Sequence, residues 1–401
     1  MIASRAVASQ PTPKLRAAVR RGAPVALASS AARRIWLRAQ RLDEASPFGG
    51  GPQATLKALE HLGYVQIDTI NVIERCHHHI LFTRIPTYQR ADLHRAQTID
   101  KSAFEYWTHA LAYVPVRDWP IYQRAMDRDW RRRTRWYQGV TPGEVRKVLK
   151  RIEREGPLTI RDIDDDVLAE KEHLWASRKP SKRALQHAFF RGDLVISERR
   201  GMLKTYELTD RHFGWDARPR AASEREVATH RLDWALRAQG VVSLESICHG
   251  DARRKTAVRR LIEARVRRGA LLPASIEGAG RQEHWVSPAA YEALPDVAPD
   301  LVHILSPFDP LIIQRKRLEL FFGYRHLFEA YVPREKRVLG YFALPVLAGE
   351  EIVAAIDVKT DRQQRKVRIN RFTWIAPSGR RALKPRIEDA LARFERFQLA
   401  A

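Results

Sequence analysis

Gln66-Ile67-Asp68 is the tripeptide with the most chemical content in this chain. In an extended segment successive side chains alternate sides, so Gln66 and Asp68 share one face while Ile67 turns toward the core. An amide beside a carboxylate can hold one water: the amide fixes its orientation and the carboxylate accepts its proton. The same carboxylate can stabilise positive charge developing on a sugar ring. Taken alone, a Gln-x-Asp pattern is common by chance, and Asp68 serves equally well as a cap for the turn into Thr69-Ile70-Asn71.

Cys76 precedes His77-His78-His79. Consecutive histidines cannot all converge on one ion from regular structure, and no second cluster with ligand spacing is visible, so no metal site is expected. Phosphate contact or the lining of a substrate pocket suits them better, with packed, hydrogen-bonded imidazoles as the plain alternative. Arg84 closes the same stretch and joins them as a candidate phosphate contact. Between Arg117 and Arg154 stand twelve basic and five acidic residues. Arg131, Arg132 and Arg133 sit there among Trp119, Trp130, Trp136 and Tyr137, a mixture suited to phosphate contact and base or sugar packing. A second basic run, Arg253 to Arg268, carries eight basic residues, with Arg254 and Arg259 as candidate contacts. A merely solvated helix face is the competing reading for both.

The elements that must position these groups follow from spacing. Gly51, Pro52, the leucines at 56, 59 and 62, and Gly63 define a helix, and Tyr64 to Asp68 reads as extended. The stretch from Asp92 to Ala112 is expected to be helical in part. Thr141, Pro142 and Glu144 form a capping-box start with Val145, Val148, Leu149 and Ile152 as the apolar face. A short helical start at Thr159, a helix from Ser181 to Phe190 and two strands around Glu198-Arg199-Arg200-Gly201 complete a unit in winged-helix order. The order recurs from Glu224 to Val286, and the first unit is a candidate third copy. Beyond Pro299, short segments rich in valine, isoleucine and aromatics predict a β-rich domain. The fold class is therefore α+β, tandem winged helices, with the first unit as the candidate third, followed by a β-rich domain. The expected boundaries are 1–28 (a basic, disordered arm), 29–135, 136–220, 221–298 and 299–401, with order beginning at Ser29 or Ser30, the N-cap of a helix over Ala31–Gln40.

Composition bounds the partner. Lysine plus arginine total 71 against 47 acidic residues, a formal net charge of +24 in 401 residues. That excess predicts a polyanionic partner, and 44% hydrophobic residues place it on folded domains. Two cysteines, Cys76 and Cys248, exclude a disulfide framework. No apolar run approaches the roughly 18–20 residues of a membrane span, so a soluble protein of a reducing compartment, without membrane contact, is expected. The common phosphate-loop, dinucleotide, nucleophile-elbow and zincin motifs are all missing from the sequence.

Assembled, several stretches resemble the YcaQ family of winged-helix DNA glycosylases, which is related to the AlkZ glycosylases. They are Ala32 to Gln40, Gly63 to Ile70, His77 to Leu81, Glu105-Tyr106-Trp107-Thr108-His109-Ala110, Ser306 to Leu311, Glu329 to Arg337, Gly340-Tyr341 and Leu344-Pro345. The resemblance runs from about residue 29 to the C-terminus. It implies a Gln–apolar–Asp catalytic motif at Gln66 and Asp68, in the form of the crosslink-repair branch, with three tandem winged helices around duplex DNA and a C-terminal β-barrel-like domain. The expectation is a monofunctional glycosylase for N7-alkylated purines and N7-linked interstrand crosslinks, working without a cofactor, as a monomer, in the cytoplasm near the nucleoid. Two alternatives remain at this level: a non-catalytic winged-helix DNA-binding regulator, and an RNA-binding protein.

Overall fold

A computed structural model describes residues 23–133, 139–163, 177, 179–294, 300–376 and 378–400, with backbone alone at 128–133. Residues 1–22 of the expected basic arm lie outside the described residues. In chain order the first elements are β1 (Val25–Leu27), α1 (Ser29–Ala39), α2 (Gly51–Leu62), β2 (Val65–Gln66), α3 (Cys76–Arg84), α4 (Arg90–Thr98), β3 (Ala103–Trp107), β4 (Leu111–Pro115) and α5 (Trp119–Arg133). Next come α6 (Pro142–Glu155), β5 (Leu158–Thr159), α7 (Pro180–Phe190), β6 (Leu194–Arg200), β7 (Leu203–Leu208), α8 (Thr209–Phe213) and α9 (Glu224–Gln239). Then follow β8 (Val241–Val242), α10 (Leu244–Ile247), α11 (Lys255–Arg267), β9 (Leu272–Ile276), β10 (His284–Val286) and α12 (Pro288–Glu292). The C-terminal stretch holds β11 (Val302–Ile304), α13 (Arg315–Phe322), β12 (Ala343–Ala348), β13 (Glu351–Asp361), β14 (Lys366–Trp374) and α14 (Arg380–Leu399).

Local chemistry explains the clearest elements. α2 starts with Pro52 in its first turn and stops at Gly63, whose φ of 78° lets its N–H return to the Leu59 carbonyl at 2.8 Å. α6 opens on the reciprocal Thr141–Glu144 box: the Glu144 N–H donates to Thr141 Oγ1 at 3.2 Å and the Thr141 N–H to Glu144 Oε2 at 2.6 Å. The stretch after Asp92 departs from expectation. Only Arg90–Thr98 is helical, and Phe104, Tyr106 and Trp107 lie in the β3–β4 hairpin, where aromatic side chains fill the pleated face.

The chain forms two compact units, Ser46–His230 and the remainder, Met1–Ala45 with Arg231–Ala401. In the first, helix, short strand, two helices and a hairpin occur in succession, with sheet order β2-β4-β3. The same strand order recurs as β5-β7-β6, and in the other unit as β8-β10-β9. The core of Ser46–His230 includes an aromatic cluster in which Trp119 meets Phe104 at 4.8 Å and Trp215 at 5.1 Å.

Three expectations are corrected. Helix α1 belongs with residues 231–400 rather than opening a unit at 29–135, because its buried Ile35, Trp36 and Leu37 share a core with Val241, Leu272 and Phe321. Order begins before Ser29, since β1 pairs in parallel with β9, Val25 against Ala274. The C-terminal sheet runs β11-β12-β13-β14 and stays open among the described residues, so it is no closed barrel. The unforeseen helix α14 contacts both edge strands and buries Ile387, Ala390, Phe394 and Phe397 there. The mixed α+β class stands.

The motif around Glu329 proves architectural. Its carboxylate accepts the N–H groups of Val338, Leu339 and Gly340 at 2.7, 2.6 and 3.1 Å. Asp357 accepts those of Tyr341 and Phe342 at 3.2 and 3.1 Å. Gly340, at φ 130°, lies against Asp357 where no side chain would fit.

Candidate active site

Gln66 ends the short strand β2, which is held to β4 with Gln66 opposite Ala112, and the next residue extends the pairing through Ile67 N–H to the Leu111 carbonyl at 2.8 Å. Gln66 and Ile67 are both buried at 5% exposure, whereas Asp68, one step past the strand, is half-buried. One Asp68 carboxylate oxygen accepts the Ile70 N–H at 2.8 Å, so the residue does cap its turn. No cation among the described residues pairs with it. The cap fixes the side chain and leaves the second oxygen available to a proton or a developing positive charge.

The Gln66 side chain is oriented from a distance. Its Oε1 lies 3.0 Å from His109 Nε2, and since an amide oxygen only accepts, the imidazole donates there. His109 sits in the tight turn between β3 and β4, where the Thr108 N–H closes on the Ala110 carbonyl at 2.8 Å. The pairing of β2 with β4 brings that turn to Gln66. Tyr64 meets the imidazole edge to face at 5.1 Å, and Thr108 Oγ1 lies 3.4 Å from Nδ1. With its oxygen engaged, the Gln66 amide presents its NH₂ as donor, as required to hold a water by its oxygen. Cys76 donates its thiol to the Gln66 carbonyl at 3.0 Å. Burial first, and then the negative charge of Asp68, push that thiol well above its ordinary pKa, so it is a neutral donor and no nucleophile.

The histidine run is placed differently from a surface contact. α3 buries His77 and His79, and His78 is half-buried with Nδ1 2.7 Å from the Tyr88 hydroxyl. Burial is the main cause that lowers the His77 pKa well below the ordinary range and His78 to about 4, with neighbouring arginines adding to it, so both are neutral. Arg84 is fully buried, with Nη1 3.3 Å from its own helix carbonyl at Ile80. His77, His79 and Arg84 are thus buried and His78 half-buried; a polar tripeptide gives no sign of burial when its helix faces inward. Arg254 pairs with Asp251 at 2.9 Å and Arg259, half-buried, with Glu283 at 2.7 Å. The side chains of Arg131, Arg132 and Arg133 lie outside the described residues. Among the described residues no group of three His, Cys, Asp or Glu side chains is placed to hold a metal ion.

Sequence reasoning assigned no role to His109, although Thr108-His109 stands inside a quoted motif, because its proximity to Gln66 is created by strand pairing. Glu105 in the same motif is buried against Arg199 of β6, whose Nε donates to Glu105 Oε1 at 2.7 Å, with a second bond from Nη2 to Oε2. Burial acts to raise the Glu105 carboxyl, but the Arg199 charge and hydrogen bonds outweigh it and hold it below the usual range.

A buried amide held by an imidazole, beside a carboxylate with one open oxygen, is an arrangement able to orient a water and accept its proton. The chain belongs to the AlkZ-like DNA glycosylase family, whose model matches residues 59–397. It is also similar in structure to the Streptomyces sahachiroi DNA glycosylase AlkZ, at 17% identity and a TM-score of 0.62, over 93% of this chain and 97% of that one. At that identity the likeness speaks for the fold alone. The family makes the chain a glycosylase of DNA repair with DNA as its substrate, in place of the non-catalytic regulator or RNA-binding protein. No helix among the described residues is long and apolar enough to cross a membrane.

Proposed function

We propose that this glycosylase releases N7-alkylated purines and unhooks N7-linked interstrand crosslinks, with Asp68 and Gln66 as its catalytic pair. The observation that carries the reading is the half-exposed Asp68 carboxylate, free of any cation, next to an amide whose donor side is left open. Alkylation at N7 makes the base cationic, so it departs as a neutral species and needs no general acid. As the glycosidic bond to C1′ breaks, Asp68 stabilises the oxocarbenium-like sugar and takes a proton from the water that Gln66 orients; the water oxygen then bonds to C1′. No lysine stands in the motif, so no Schiff base and no strand-cleaving lyase step belong to the mechanism. A crosslinked base cannot be flipped freely, which calls for an open site, and a half-exposed carboxylate suits that demand. The three recurring helix–strand–hairpin units are read as winged helices that hold the duplex, and the chain acts as a monomer.

A duplex carrying one N7-linked crosslink tests this on a denaturing gel. The expected product is two separated strands with intact backbones that break only after alkali. Crosslinked duplex that persists at enzyme excess contradicts the substrate assignment, and breaks before alkali contradict the monofunctional one.

A further inference from the structure

We propose that a cavity in the Ser46–His230 unit, formed between its first two repeats, is an oxyanion site for the phosphate of a small phosphomonoester, with Arg75 and His77 as its principal ligands. The cavity measures about 310 Å³, and neither Gln66 nor Asp68 lines it. Its lining is therefore distinct from the candidate active site, although Cys76, between Arg75 and His77, donates to the Gln66 carbonyl, and the proposal holds whatever base that site removes.

Three guanidinium groups line it, and they are not equivalent. Arg90 is matched by Glu74 at 2.5 Å and Arg199 by Glu105 at 2.7 Å. The Arg75 guanidinium has no carboxylate partner among the described residues and its Nε is buried without a hydrogen bond, although the Arg75 backbone N–H donates to Glu74 Oε1 at 2.9 Å and Glu74 also lines the cavity. His77, only 2% exposed, has a buried Nδ1 that is likewise without a partner. One guanidinium nitrogen of the half-buried Arg75 and one imidazole nitrogen of His77 are thus buried without partners, which is costly, and a dianion that accepts from both removes the cost. A phosphate fits the demand because a guanidinium binds it through parallel N–H groups. His77, held neutral chiefly by burial, adds one directional donor rather than a second charge.

The size narrows the ligand. A volume at the lower end of small-molecule pockets leaves room beyond a single phosphate for a compact polar body such as a pentose. Gly201, in the turn between β6 and β7, closes the far side: Arg75 Nη2 lies 4.0 Å from where a side chain would begin there, and the φ of 63° favours glycine. The ligand thus touches the first repeat through α3 and the second through its hairpin turn. Its source is either a free sugar phosphate or the phosphorylated end of a nucleic-acid strand, which share this chemistry.

The test is calorimetric titration of the full chain with ribose 5-phosphate, inorganic phosphate, and a dinucleotide with and without a 5′-phosphate. Wild type is expected to bind ribose 5-phosphate saturably at one site, and Arg75→Gln to weaken it by about tenfold or more, as loss of a charged hydrogen-bond pair implies. Arg146→Gln, at an exposed position on α6, controls for unspecific attraction to a basic protein and should match wild type. Preference for the 5′-phosphorylated dinucleotide assigns the strand end; preference for ribose 5-phosphate assigns the free metabolite. Base release by Arg75→Gln should equal that of wild type. Failure of every phosphate to saturate wild type, or equal affinity in Arg75→Gln and Arg146→Gln, overturns the proposal.

Discussion

At the scale of single residues, Gln66 and Asp68 are two positions apart in the chain yet held by unrelated means. Asp68 is fixed by its own turn, through the Ile70 N–H. Gln66 is fixed by an imidazole 43 residues away. The pair was legible because both partners lie within one tripeptide of alternating sides. His109 was not, since only the register of β2 against β4 brings it near, and register is not written in a two-residue strand. His109 is expected to position Gln66 through this hydrogen bond and not to contact the reacting atoms. His109→Phe retains the ring against Tyr64 and removes the hydrogen bond. It should lower the single-turnover rate about tenfold, the equivalent of roughly 1–1.5 kcal/mol, while leaving the affinity for duplex DNA unchanged. A parallel loss of DNA affinity would speak for a contact role, and an unchanged rate for no role.

At the scale of elements, the Glu105–Arg199 pair ties β3 of the first repeat to β6 of the second inside the protein. Its two side chains are 0% and 3% exposed, which makes screening by solvent negligible. Replacing Arg199 by methionine leaves a carboxylate buried without its partner, and the expected cost is about 3–5 kcal/mol in denaturant unfolding of the full chain. The double variant Glu105→Gln, Arg199→Met should recover part of that loss because no charge remains uncompensated; a double variant worse than the sum of the singles contradicts the assignment. Elements with local signals were readable, as at Thr141-Pro142-Glu144 and at Gly63. Elements that exist through tertiary contact were not. β1 forms only by pairing with β9, and nothing in its arginine- and serine-rich surroundings marks it. α14 does carry a helical stripe in Ile387, Ala390, Phe394 and Phe397, masked by Pro385 inside the helix.

At the scale of the whole molecule, the net charge of +24 identified a polyanion but not which arginines serve it. Many are tied up structurally. Arg317 lies between Trp36 and Phe321, 4.3 and 4.6 Å from their rings, and donates to the Val241 carbonyl at 2.6 Å. Burial pulls its pKa down to about 9, an arginine recruited to packing rather than to DNA. Buried histidines set the response to acid. Burial, the largest cause in each case, lowers His78, His212 and His284 to about 4, aided by Arg90 and Arg75, by Lys101, and by Arg317 respectively. His326 falls to about 3 through burial and Arg315. Folded values below the unfolded value of about 6.5 mean that the unfolded chain binds more protons between pH 6.5 and 4. Stability is therefore full above pH 6.5 and declines through that window, by up to about 1.4 kcal/mol per pH unit for each histidine. Denaturant midpoints measured from pH 7.5 to 4.5 should fall steadily below 6.5, and a flat profile contradicts the neutral, buried placement of these rings.

The central claim is that one carboxylate turns a DNA-binding scaffold into an enzyme, and Asp68→Asn addresses it directly. Asparagine keeps the oxygen that accepts the Ile70 N–H and removes only the charge and basicity. Measured as free N7-methylguanine released from duplex DNA under single-turnover conditions, the variant should be slower than wild type by a factor of about 10²–10⁴, with duplex affinity retained. Equal release by the two proteins would contradict the account.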